Sequence, residues 1–184
     1  GSRAGFPAII ADLSMLCGFN HWFEALDVTK HMNVNVQILP EAVGTIAVDS
    51  KQAILDALSL RFADIYGVDG NVVLEFLEER EALGSTGFGR GVAIPHARID
   101  GIKRPVAVLF KLESPVDFGS ADGMPVDLVF GLLSPKNAGA GHLHALAEIS
   151  RMVRDDSIRE ALAQAPTAEA LYSMLSSVSH RDVA

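Results

Sequence analysis

The sequence predicts an α/β fold, a three-layer α/β/α domain in which helices flank a mixed β-sheet. Three observations carry that expectation. Helical periodicity lies on both sides of a cluster of strand-like apolar runs, the pattern of a layered domain. The runs, at 91–95, 105–112 and 125–134, are joined by links of hairpin length, and purely parallel neighbours would need long crossovers. The 184 residues, 49% hydrophobic and 21% charged, suffice for one packed core and would be cramped as two.

Each element has its own signal. Residues 1–33 hold the only cysteine, Cys17, and the only tryptophan, Trp22, and are read as an N-terminal extension with some helical character. Their opening Gly-Ser resembles an expression scar, and Met32 is a plausible initiator. The domain itself is expected over 34–184. Ser50 can cap a helix that Gly67 ends, with Ile54, Ala57, Leu58, Phe62 and Ile65 on one face. Asp69 or Asn71 opens a second helix, with Val72, Val73, Phe76 and Leu77 inward and Gly84 closing it. Alternation at Val106, Val108 and Phe110 is strand-like, and Asp100-Gly101 marks a turn before it. Helices are expected near 142–154, 156–164 and 167–178, the last capped by Thr167.

Composition narrows the function. The formal charge of -8, from 15 basic and 23 acidic residues, sets nucleic acid aside as a partner, because phosphate backbones are bound through basic surfaces. A single cysteine permits neither an intrachain disulfide nor a thiolate-rich metal site, which suits the cytoplasm. No apolar run reaches transmembrane length, so membrane insertion is not expected.

The chemistry concentrates in "LGSTGFGRGVAIPHARIDG", residues 83–101. Gly84 and Gly89 have the glycine spacing of a nucleotide P-loop, but Arg90 and Gly91 stand where lysine and a hydroxyl residue are needed. The dinucleotide fingerprint fails as well, since its third glycine is misplaced at Gly91. Both motifs also require strand before helix, and here the loop follows a helix. Glycines let backbone approach an anion closely, and successive N–H groups can form a nest. Ser85 and Thr86 add hydroxyls, and His96 follows at the end of an apolar strand behind Pro95. A neutral imidazole is a competent nucleophile near pH 7, and Arg80, Arg98, Ser85 and Thr86 are the local groups that could pair with a phosphoryl group placed on it. His142 and His144 stand two apart on a helix, so only one can face a given site, and their spacing is poor for a metal.

With these pieces in hand, the chain resembles the enzyme IIA domain of the bacterial phosphotransferase system, of the fructose/mannitol class and nearest its nitrogen-regulatory branch. The resemblance rests on 80–99, 125–135 and 142–155 and runs in order over roughly 34–178. It implies that His96 accepts a phosphoryl group from a histidine phosphocarrier protein. His142 falls on a second active-site histidine, Arg80 on an arginine near the phosphohistidine, and Ser85 and Thr86 on loop hydroxyls. Arg98 stands where relatives often carry lysine, and Ala97 replaces a glycine. No metal and no cofactor are implied. The expected output is regulation of partners such as potassium-transport or sensor-kinase components, favoured by a chain with no attached IIB domain. The alternative is a sugar-transport IIA passing phosphate to a IIB domain. A more distant one is a metal-dependent hydrolase using His96, His142 and His144.

Overall fold

The computed structural model describes residues 36–178, so the reading of residues 1–33 lies outside the described residues. A short 3-10 turn, Pro40–Ala42, leads into β1 (Val43–Ile46). Helix α1 (Lys51–Tyr66) starts where Ser50 Oγ accepts the Ala53 N–H at 3.1 Å, and it ends at Gly67 in the left-handed region, φ 69°. Helix α2 (Gly70–Ala82) is capped by Asp69, whose carboxylate accepts the N–H groups of Asn71 and Val72. Strands β2 (Gly87–Gly89), β3 (Val92–Ala93), β4 (His96–Ile99), β5 (Val106–Val116) and β6 (Val126–Pro135) follow. Three helices close the chain: α3 (Ala140–Arg154), α4 (Asp156–Gln164) and α5 (Ala168–Val178). Thr167 Oγ1 accepts from Ala170 N, as its place in the sequence predicts.

The sheet runs β1-β5-β6-β3-β2, with β4 also on β6. It is mixed: β5 and β6 are antiparallel, while β1 is parallel to β5 and β3 and β4 are parallel to β6. Side chains alternate along β6 and so assign the helical layers. Gly131 faces Leu58 and Phe62 of α1. Ser134, three positions on and therefore on the other face, meets His142 of α3. Lys111 of β5 pairs in register with Leu128, on the Ser134 face, and donates to the Ala165 carbonyl between α4 and α5. Helices α1 and α2 thus cover one face and α3–α5 the other, which is the three-layer architecture. Phe62, Phe110, Phe118 and Phe130 are among its largest fully buried side chains.

Several local expectations change. Val72 points outward, and Leu55 and Ser59 join the buried face of α1 while Ala57 and Ile65 are only half-buried. The run 91–95 is not one strand. Pro95 has no N–H to give a ladder, so the strand breaks at Ile94-Pro95 and resumes as β4. His96 therefore begins a strand instead of ending one. Both halves keep the same offset to β6, Val92 opposite Leu128 and His96 opposite Leu132. Strands β1 and β2 have no counterpart in the sequence reading. The β2–β3 turn takes Gly89, Arg90 and Gly91 all to positive φ, and Asp122 Oδ2 holds the strained Arg90 by accepting its N–H at 2.7 Å.

Candidate functional site

The break at Ile94-Pro95 does more than divide a strand. Just before it, the Ile94 carbonyl accepts from His96 Nδ1 at 2.8 Å. A carbonyl accepts only, so Nδ1 carries the proton and the lone pair is on Nε2. Arg80 Nε, at the C-terminal end of α2, donates to that Nε2 at 3.1 Å. Arg80 Nη1 donates to the Gly84 carbonyl at 3.0 Å, which fixes the guanidinium between loop and imidazole.

His142 sits in the first turn of α3, buried, with Nδ1 2.8 Å from Ser134 Oγ. Its ring centroid is 5.6 Å from that of His96. Burial, then the charges of Arg98 and His96, push its pKa down to about 4. The His96 pKa is also lowered, by burial first and by Arg80, against the opposing bond to Ile94 and the charge of Glu81. Two neutral imidazoles thus face each other at pH 7. His144 is exposed on the other side of α3. Arg98 lies on the same sheet face as Ser134, its register partner, and is solvent-exposed.

The loop hydroxyls are engaged within the fold. Ser85 Oγ donates to the Phe118 carbonyl at 2.9 Å and accepts the Gly87 N–H. Thr86 is buried, and its hydroxyl donates to Glu81 at 2.5 Å. The anticipated row of outward N–H groups is also turned inward: Gly84 N bonds Glu81 O, and Thr86 N bonds both Glu81 carboxylate oxygens. Gly87 lies so close to the 117–123 loop that a Cβ there would come within 2.3 Å of Ser120 Oγ. Arg80, His96 and His142 therefore converge, with Arg98 beside His142, while Ser85 and Thr86 shape the loop that carries Gly84. Sequence reasoning missed Ser134, Glu81 and Lys51, whose Nζ lies 2.7 Å from Glu81 Oε1. Only the adjacency of Glu81 to Arg80 offered a signal. Among the described residues no cluster of three metal-ligating side chains occurs, and no helix is long and apolar enough to cross a membrane.

The chain has relatives in both sequence and fold. Residues 40–178 match the family model described as "Phosphoenolpyruvate-dependent sugar phosphotransferase system, EIIA 2". The chain belongs to this family. It is thus an enzyme IIA component of a phosphotransferase system. A nitrogen regulatory protein of Bradyrhizobium diazoefficiens is 42% identical over 145 residues, 78% of this chain and 95% of that protein. One from Pseudomonas aeruginosa is 43% identical over 127 residues, 68% and 82% of the two chains. The crystal structure of nitrogen regulatory protein IIA-Ntr from Neisseria meningitidis superposes with a TM-score of 0.70 at 36% identity, covering 75% of this chain and 95% of that one. The mannitol IIA of Escherichia coli shares the fold, with a TM-score of 0.61 at 20% identity over 71% and 92% of the two chains.

Proposed function

We propose that this IIA component is a nitrogen-type regulatory phosphocarrier, taking a phosphoryl group on His96 from a histidine phosphocarrier protein in the cytoplasm. The observation that carries the reading is the state of His96: Nδ1 is protonated against Ile94, and the Nε2 lone pair is aimed beside Arg80. In the step, that lone pair forms the new P–N bond as the donor's P–N bond breaks. The donor ring, protonated on its other nitrogen, leaves as neutral imidazole. His96 keeps its Nδ1 proton, and the Ile94 carbonyl stabilises the ring cation that results. The Arg80 guanidinium exchanges its bond to Nε2 for bonds to phosphoryl oxygens, where charge-assisted pairing is strongest. With the Ser134 hydroxyl donating to Nδ1, His142 carries its proton on Nε2 and acts as a second donor. Arg98 supplies positive charge from the His142 side. Ser85 contacts the phosphoryl group only by releasing Phe118, and Thr86 only by releasing Glu81.

A protein donor is supported by the surroundings. Leu83, 85% exposed, borders Gly84, and Leu143, 62% exposed, follows His142. Two exposed leucines, one next to Gly84 and one next to His142 in the chain, suit a docking face better than a small-molecule pocket. Kinship to nitrogen regulatory proteins favours output to regulated proteins, such as potassium-transport or sensor-kinase components. The sugar-transport alternative, transfer to a IIB domain, draws on a fructose-specific EIIA component of Haloferax volcanii, 33% identical over 60% of this chain and 71% of that protein.

Incubation with a phosphoenolpyruvate-charged donor and intact-mass measurement tests the reading. Wild type gains one acid-labile phosphoryl mass whether or not a chelator is present, and His96→Ala gains none. An uncharged wild type beside a charged donor would refute it. Discharge onto an added IIB domain would shift the output to the sugar alternative.

A further inference from the structure

Behind the loop lies a half-buried ion pair that the transfer step does not use. Glu81, its side chain 7% exposed, receives the Thr86 N–H on both carboxylate oxygens at 3.1 Å, the Thr86 hydroxyl and the Lys51 ammonium. A carboxylate so buried is costly unless paired, and here every partner is a donor. Lys51 is itself confined, with Nζ 4.7 Å from the centroid of the Phe118 ring. The carbonyl of that same Phe118 accepts the Ser85 hydroxyl. Two successive loop residues are thus tied to one anchor, Ser85 through Phe118 and Thr86 through Glu81.

We infer that Glu81, neutralised by Lys51, is a positioning residue for the phosphoryl transfer to His96, an inference that rests on the function proposed above. Closing the chain between Glu81 and Thr86 fixes the Gly84 carbonyl. That carbonyl holds Arg80 Nη1, and Arg80 Nε meets His96. The Lys51-Glu81-Thr86 clamp is therefore the first link in a chain that ends on the nucleophile. Charge gives it a second task. The incoming phosphoryl group is an anion, and an uncompensated carboxylate this close to His96 would repel it. Lys51 cancels that charge while leaving the carboxylate free to hold the loop.

Two substitutions separate positioning from simple support. Glu81→Gln removes the anion and presents an N–H₂ group to donors; Lys51→Met leaves the anion uncompensated. Each is expected to slow transfer from the charged donor at least about tenfold, in kcat more than in KM, because misplacing a catalytic group costs rate and not docking. The His96 titration midpoint, followed by NMR, should fall in Glu81→Gln and rise in Lys51→Met. Lys51→Arg should restore both values. Thermal unfolding of each variant supplies the folding control, and either variant alone tests the inference if the other does not fold.

Transfer within twofold of wild type in the folded variants, with the midpoint unmoved, overturns the inference while the function stands. Shifts of the midpoint in the same direction reduce the clamp to a structural part and overturn it as well. Opposite shifts in a protein whose wild type takes no phosphoryl group would instead defeat the transfer reading and leave the clamp's hold on His96 intact.

Discussion

His142 is held uncharged at neutral pH, with its ring 5.6 Å from that of His96 and its Nδ1 bonded to Ser134. Burial secures this, assisted by its place in the first turn of α3, where the helix dipole also disfavours a cation. The consequence for stability has a definite sign. A histidine whose folded pKa falls from 6.5 to about 4 contributes stability that is fully present above 6.5 and is lost as pH drops toward 4. Glu81 acts in the next window down. Burial raises its pKa, but the bonds from Lys51 and Thr86 outweigh burial and leave it below the ordinary 4.5, so its contribution disappears at still lower pH. Urea midpoints measured from pH 7 to pH 4 should decline, and His142→Gln should flatten the upper part of that decline. An unchanged slope in the variant would mean that another group titrates.

At the scale of elements, β6 is the axis on which packing is built. Gly131 lets α1 lie directly on the sheet: a Cβ there would stand 2.7 Å from Leu58 Cδ2 and 3.0 Å from Phe62 Cε2. Gly131→Ala should therefore destabilise the fold by about 1–3 kcal/mol through overpacking, read as a lower Tm. Transfer to His96 should stay near normal, since the substitution faces away from Ser134. The elements also show what a sequence can disclose. The caps at Ser50, Asp69 and Thr167 were legible because each is a local bond between a side chain and a backbone two or three residues on. Strands β1 and β2, four and three residues long, were not, because their stability comes from partners far along the chain. The apparent strand 91–95 misled for a related reason. Its apolar pattern is continuous, but Pro95 has no N–H to donate, though its carbonyl still accepts from Leu132 N.

For the whole molecule, the site divides along the same line. His96, Arg80 and the hydroxyl pair share one 17-residue stretch, 80–96, whose spacing betrays them. Ser134, Lys51 and Phe118 enter the site only through folding, and nothing local marks them. The exposed leucines make a prediction at this scale. Leu83→Asp adds charge to the edge of the proposed docking face while leaving every side chain of the clamp and the imidazole in place. It should raise KM for a protein donor about tenfold or more while kcat and unfolding temperature hold. Stopped-flow transfer assays would show this, and a fall in kcat alone would place Leu83 inside the chemistry instead.

The unbroken offset of β3 and β4 against β6 has one more consequence. His96 is registered to Leu132, and His142 is tied to Ser134, so both imidazoles are gauged from neighbouring marks on a single strand. Bending of β6 moves both marks together, and movement of α3, which carries His142, is opposed by the bond to Ser134. Their separation is a differential reading on one ruler, and common-mode motion cancels from it.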